Sequence, residues 1–349
     1  MIKIGFIGAG KRTKEVNVPI LLNMKDKYTI VGYVTKSQEP KEEIERLTGA
    51  KKYTSITSMS NDVDMFVISV PTSPDHSYIE EAISTKKPIL IETPLSLDPN
   101  VAFELYKKVY MSGQKVGVIE QWPNLPLEMF KKEIINSGIM GSIIVVENDF
   151  RTYDYHGTSQ LRSYLNKDAF IEDIDVKMTS SPSSFYLNYD NQMKEVYSDS
   201  WKIVTAKMSD NSLMVYKYSS NYKMQPFRFP KGLRICGTTG TIYGGCLLEE
   251  PCELRLLDSG TGETCTPDIV KEFENKEIKS ISIEYGGIAI KWENPFFGSG
   301  FDEHQIGIAY HFDAMYKTLN NEGEILYNTQ DFIIDLMTFY GHKLSQGQQ

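Results

Sequence analysis

Long apolar runs, closely spaced cysteines and an excess of basic residues are all missing from this 349-residue chain. No stretch approaches the roughly 18–20 uncharged apolar residues of a membrane-spanning helix. The apolar run at the N-terminus ends at Gly8, too soon for a signal-peptide core. A cytoplasmic protein with no membrane partner is therefore expected. Its 37 Lys and Arg stand against 46 Asp and Glu, a formal charge of −9, whereas a nucleic-acid surface calls for a basic face. Only Cys236, Cys246, Cys252 and Cys265 supply thiols. No pair of them has the C-x2-C to C-x4-C spacing of a zinc site and no histidine lies among them, so free thiols and no metal are expected.

What is present is ample material for a core: 41% hydrophobic residues, with 16 Phe and 21 Tyr. Disorder is excluded on that composition, and the length suits two domains. The first third alternates short apolar runs with amphipathic stretches. The runs are Ile2–Ile7, Tyr28–Val34, Met65–Val70, Ile89–Ile91 and Lys115–Ile119, with helical segments between them. That alternation predicts a doubly wound parallel sheet of the Rossmann type, whose ligands bind beyond the carboxyl ends of the strands.

Gly8-x-Gly10 follows the first run directly and precedes a helical stretch, where a dinucleotide fingerprint belongs. Glycines there allow a tight turn and close approach to a diphosphate, with helix N–H donors behind them. Thr13 stands at the third fingerprint position. At the end of the second run an NAD site usually carries Asp or Glu for the ribose hydroxyl. This chain has Thr35, Lys36 and Ser37 instead, and Lys11 and Arg12 add positive charge in the preceding loop. A cation with hydroxyls suits a 2′-phosphate, so NADP is expected, with NAD as the alternative.

From about Gly138 the pattern changes to longer alternating strands, including Ser142–Phe150, Trp201–Lys207, Ser212–Tyr218, Leu233–Cys236, Ile281–Tyr285 and Ile288–Trp292. One helix is expected at Gly157–Leu165, and two more at Ile306–Leu319 and Asp331–Leu344. The expected architecture is α/β: residues 1–122 form the NAD(P)-binding domain, and 123–349 form an α+β substrate and oligomerisation domain. The latter is built on a large open, mainly antiparallel sheet. Helices at about 329–344 are expected to pack back on the first domain.

Five stretches together resemble the Gfo/Idh/MocA family (glucose-fructose oxidoreductase and inositol dehydrogenase). They are Ile4–Gly10, Asp64–Thr72 with His76, Ile89–Ser96, Gly138–Gly141 and Gly237–Thr241. The resemblance implies hydride transfer at a nicotinamide, often on sugars or cyclitols, with dimers or tetramers formed through the open sheet. It places Pro71, Thr72, His76, Glu92 and Pro94 beside the ribose and nicotinamide. Gln121 and Trp122, at the end of the last Rossmann strand, fall near the nicotinamide or substrate, although Trp122 equally suits a domain-interface anchor.

The chain departs from the family pattern at two positions. In the family's E-K-P stretch Thr93 replaces the lysine that polarises or deprotonates the reacting hydroxyl. The best match to the family's helix histidine is His156, followed three residues later by Ser159 rather than aspartate. A threonine cannot serve as base near neutral pH. Family members lacking the lysine include biliverdin and thiazolinyl-imine reductases. The expectation is therefore reduction of a C=N or conjugated C=C bond in a small molecule, with His156 as proton donor beside Tyr155 and with Thr93 donating a hydrogen bond. Two alternatives stand: a sugar or cyclitol dehydrogenase whose base is His156, and an inactive cofactor-binding sensor or partner protein. Tyr153, Asp154 and Arg162 complete the candidate cluster, while His304 and His311 read as surface or interface residues.

Overall fold

The computed structural model describes residues 1–349 except 38–40, 72–75, 151, 153, 188–192, 221–231, 259 and 342–349, and omits the side chains of 183–187 and 193–197. Thr72, Tyr153 and the last residues of the expected final helix thus lie outside the described residues. The chain forms two compact units, Met1–Gln121 with Gly298–Ile333, and Trp122–Phe297 with Ile334 onward.

The first unit runs β1 (Ile2–Ile7), α1 (Val18–Asn23), β2 (Tyr28–Val34), α2 (Glu42–Thr48), β3 (Lys51–Lys52), α3 (Ile56–Ser60), β4 (Met65–Ile68), α4 (Ser77–Ser84), β5 (Ile89–Glu92), α5 (Pro99–Ser112) and β6 (Val116–Ile119). All six strands pair in parallel in the order β3-β2-β1-β4-β5-β6. The order reverses beside β1, and open α/β sheets bind ligands at such a switch point. β4 is buried along its whole length, as the central strand of a sheet covered on both faces must be. Helix α5 starts where the Asp98 carboxylate accepts from the Asn100 and Val101 N–H groups, with Pro99 in its first turn.

The second unit contains α6 (Pro126–Asn136), β7 (Ile143–Asp149), α7 (Asp154–Arg162), β8 (Ile171–Leu187), β9 (Met193–Met208), β10 (Leu213–Ser219), β11 (Gly232–Gly237), β12 (Gly240–Gly244), β13 (Cys252–Leu257) and β14 (Thr264–Cys265). These strands form one eight-stranded sheet in the order β14-β13-β12-β11-β7-β10-β9-β8. Its pairing is antiparallel except between β7 and β10. Alternation is clear along β7, where Val146 and Asn148 are buried and Val145, Glu147 and Asp149 between and beyond them are half-exposed. A second sheet of β15 (Val270–Glu274), β16 (Glu277–Tyr285) and β17 (Ile288–Glu293) is antiparallel throughout. The sequence showed no strand over Ile171–Leu187, yet β8 is a 17-residue strand paired to β9 from Ile171 to Leu187.

The chain closes with α8 (Glu303–Leu319) and α9 (Thr329–Tyr340). The return to the first unit starts at Gly298, earlier than the expected residue 329, and ends at Ile333. Helix α8 explains the difference. Its Phe312 is fully buried, and the Phe312 carbonyl accepts from the Tyr28 hydroxyl of β2 at 2.6 Å. The Val118 N–H of β6 donates to the Tyr327 carbonyl at 2.8 Å, so the segment after α8 is tied to the edge of the same sheet. Among the described residues no helix is long and apolar enough to cross a membrane.

Candidate functional site

In the first unit the fingerprint loop is shaped by one close approach. Gly8 has φ +97°, and a Cβ there would lie 2.2 Å from the Ser69 carbonyl oxygen. Only glycine fits both the angle and the gap. A Cβ on Gly10 would meet nothing within 4 Å, so the loop's next turn faces open space. Thr13 is fully buried, and its hydroxyl donates to the Gly8 carbonyl at 2.9 Å. Thr13, the third fingerprint position expected at the cofactor, thus has its hydroxyl bracing the loop from behind.

A cavity of about 590 Å³ opens on this loop, lined by Gly8, Ala9 and Gly10. Thr35 and Lys36 line it from the end of β2, Ser69 and Pro71 from the end of β4, and Tyr78 and Glu81 from α4. Four of the residues expected at the adenosine half of a cofactor, Gly8, Gly10, Thr35 and Lys36, therefore share one wall system with Pro71. Ser37 is placed beside it, with its N–H reaching the Thr35 hydroxyl at 3.4 Å. His76 sits at the start of α4. The Ser69 hydroxyl oxygen is buried without a partner among the described residues, and such a group calls for an external partner. A dinucleotide fits these features: a glycine cradle that admits its diphosphate, a cavity beyond it, and an unmet hydroxyl on the wall.

Of the positive patch expected from Lys11, Arg12 and Lys36, Lys36 lines the cavity, while the other two side chains meet carboxylates. Lys11 stands 3.7 Å from Glu15 and is exposed. Arg12 turns to Glu92 at the end of β5, with Nε 2.8 Å from Oε1 and Nη2 3.2 Å from Oε2. Asn17 adds a third donor, its Nδ2 lying 3.0 Å from the same Oε1. A bidentate carboxylate outcompetes solvent for a guanidinium, which is why the fork points across the sheet rather than toward β2. Thr93 and Pro94 follow Glu92, joined by a cis peptide bond, and both are half-buried. The Gln121 side-chain oxygen is buried without a partner among the described residues.

Of the two histidines read as surface or interface residues, His311 is not at the surface of this unit. It is 2% exposed, and its Nε2 lies 2.8 Å from the Glu120 carbonyl oxygen just beyond β6. His304, on the first turn of α8, is half-buried, and burial pushes its pKa down. The Arg12 guanidinium pushes it further down, while Asp302 opposes the shift.

In the second unit Tyr155 and His156 occupy the first turn of α7 and are buried at 3% and 5% exposure. Their rings are 4.3 Å apart, and the Trp122 ring centroid lies 6.3 Å from that of His156. Phe150 and Asp154, with φ +54° and +49°, hold left-handed backbone on either side of the approach to this turn. Such conformations in non-glycine residues gather at functional sites. Next to His156, a Cβ on Gly157 would lie 2.3 Å from the Tyr216 ring, and the Tyr216 hydroxyl donates to the Thr152 carbonyl at 2.9 Å.

Arg162 lies at the far end of α7 from this turn. Its Nε and Nη2 bind the two Asp335 oxygens at 2.8 and 2.9 Å, a bond within the unit that sequence spacing could not reveal. Sequence reading also missed a buried polar chain on α6. Glu128 and Lys131 are both fully buried and 2.7 Å apart. The Lys131 ammonium also donates to the Gly245 carbonyl at 2.6 Å, and the Tyr164 hydroxyl donates to Glu128. Burial outweighs these contacts and pushes the Glu128 pKa up. A lone Glu-x-x-Lys on a helix reads as a surface pair, so nothing in the sequence marked it.

Residues 2–120 match the sequence model of an oxidoreductase family described by its NAD-binding Rossmann fold, the Gfo/Idh/MocA group. The uncharacterized oxidoreductase YhhX of Escherichia coli K12 is 26% identical over 155 residues, spanning 44% of this chain and 45% of that protein. The chain thus matches less than half the length of this relative. Two solved structures share the fold over both units. An NAD-binding oxidoreductase from Klebsiella pneumoniae has a TM-score of 0.67 at 14% identity, covering 98% of this chain and 96% of that one. An oxidoreductase from Agrobacterium radiobacter in complex with NAD+, L-tartaric acid and magnesium has a TM-score of 0.67 at 15% identity, covering 98% and 95%. Residues 2–120 therefore carry the NAD-binding Rossmann fold of the Gfo/Idh/MocA oxidoreductases.

Proposed function

We propose that this chain is an NADP(H)-dependent oxidoreductase that reduces a C=N or conjugated C=C bond of a small molecule. The observation that carries the cofactor reading is the Gly8 cradle opening on a cavity walled by Thr35 and Lys36. Among the described residues, the wall supplied by the end of β2 has a lysine and a hydroxyl and no carboxylate, which suits a 2′-phosphate. When bound, the dihydronicotinamide supplies a hydride.

The bond type rests on Thr93. Glu92 is already neutralised by Arg12, and the hydroxyl beside it takes no proton near neutral pH. An alcohol substrate would need such a base; an imine or enone needs a proton donor. His156 fills that role, held between Tyr155 and Trp122 with its carbonyl bonded by the Ser159 hydroxyl at 3.1 Å. Copies of the chain associate through the face of the eight-stranded sheet that carries Ile203, which is 42% exposed. Sedimentation velocity tests that contact.

NADPH consumption with imine and enone panels, set against NADP+ reduction by sugars and cyclitols, tests the reaction. Turnover only on the second panel would replace the reductase with a dehydrogenase using His156 as base. Tight cofactor binding without turnover on either would make the chain a sensor. Titration of cofactor fluorescence decides NADPH against NADH, and His156→Ala should abolish turnover while cofactor affinity holds.

A further inference from the structure

The least explained arrangement in the first unit is the Arg12 fork. Between the fingerprint loop and α1 the chain makes a five-residue π-helical turn, Thr13–Asn17, closed by the Val18 N–H on the Thr13 carbonyl. Such turns carry one extra residue and concentrate at functional sites. This one brings Arg12 and Asn17, five residues apart in sequence, onto the same carboxylate of Glu92.

The pairing uses only part of the arginine. A guanidinium has five N–H donors, and Glu92 takes two of them through Nε and Nη2. The remaining three meet no partner among the described residues. The side chains differ in access as well: Arg12 is 38% exposed and Glu92 10%. The inner edge of the fork is thus anchored and desolvated, while its outer edge is open. Arg12 stands two residues past Gly10, where the loop faces open space.

We propose that Arg12 is a positioning residue that bridges Glu92 and the diphosphate of the bound dinucleotide. The proposal rests on the cofactor reading above and adds to it a role other than the 2′-phosphate contact expected from sequence. Glu92 fixes the plane and charge of the guanidinium, and the outer N–H groups take a diphosphate oxygen at the height of the glycine loop. Arg12 is the cation paired with Glu92 in this chain. A cofactor gripped this way has its middle tied to the end of β5.

The test compares ligands that differ only in the diphosphate half. Calorimetric titrations of the full chain use 2′-phospho-ADP-ribose against 2′-AMP, and ADP-ribose against adenosine. Arg12→Gln should weaken the diphosphate-bearing member of each pair about 10-fold or more, the loss of a charge-assisted hydrogen bond, and change 2′-AMP less than about 2-fold. Arg12→Lys keeps the charge without the fork and should show the same split to a smaller degree, which preserves the test if the glutamine variant fails to fold. Equal losses on both members would overturn the bridge in favour of a general effect on the loop. No loss on either would reduce Arg12 to a strut for Glu92. If the unaltered chain binds none of the four ligands nor NADP, the dinucleotide reading fails first, and the bridge with it.

Discussion

Arg162 and Asp335, 173 residues apart in sequence, are joined by two parallel hydrogen bonds of 2.8 and 2.9 Å. Asp335 is 1% exposed at its side chain and Arg162 25%. The Thr158 hydroxyl also donates to the Asp335 backbone carbonyl at 2.9 Å, so α7 and the second half of α9 are held at two points. Removing one member of a buried pair leaves the other uncompensated. Asp335→Ala should cost about 3 kcal/mol in urea unfolding, with cofactor fluorescence titration unchanged wherever the variant is folded. A loss below about 1 kcal/mol would mean that the pair is solvated.

Gly8→Ala places a methyl group against the Ser69 carbonyl oxygen and forces an L residue to φ +97°. Both effects oppose the native loop. We expect cofactor affinity to fall at least about 10-fold and the melting temperature to drop by several degrees. Gly10→Ala, whose added methyl would meet nothing within 4 Å of the protein, should leave the melting temperature within about a degree. Equal melting losses at the two positions would contradict the geometry.

Tyr28→Phe deletes the hydroxyl that donates to the Phe312 carbonyl at 2.6 Å. The ring contacts with Phe312 and Tyr316, at 6.0 and 5.9 Å, are retained. The expected loss is about 1 kcal/mol, read by chemical denaturation. Hydrogen exchange should quicken at α8, because the lost bond ties that helix to β2.

Lys132 gives a pH signature. Burial lowers its pKa from 10.5 to about 8, against a smaller opposing pull from Glu128. Its ammonium donates to the Pro123 carbonyl. Between pH 8 and 10.5 the unfolded lysine holds a proton that the folded one has released. Stability contributed by this group therefore rises with pH across that window. The melting temperature of the native chain, minus that of Lys132→Met, should climb from pH 8 toward pH 10.5; a flat difference would show that water reaches the ammonium.

Local signals were legible and long-range ones were not. β4 reads from its unbroken Met65–Ile68 run, and the Gly8 turn from its place between a strand and a helix. β8 escaped notice because its side chains are ordered by partners rather than by apolarity: Asp173 lies opposite Lys207, and Asp175 opposite Thr205. No window of sequence contains both halves of those pairs. The same limit applies to the site. Arg12 and Glu92 were each marked as cofactor residues, yet their bond spans 80 positions and changes what each can offer. His311 looked superficial because its partner is a backbone carbonyl, which leaves no trace in residue type.

The contact between Gly157 and Tyr216 sets the routes open to this helix in evolution. The Tyr216 ring fills the volume that any side chain at 157 would need, so the two positions are free to change only together, the large residue shrinking before the small one grows. Until then no polar side chain can take the place next to His156 on α7. A new imidazole or carboxylate at 157 would first have to evict a fully buried tyrosine that anchors the Thr152 carbonyl.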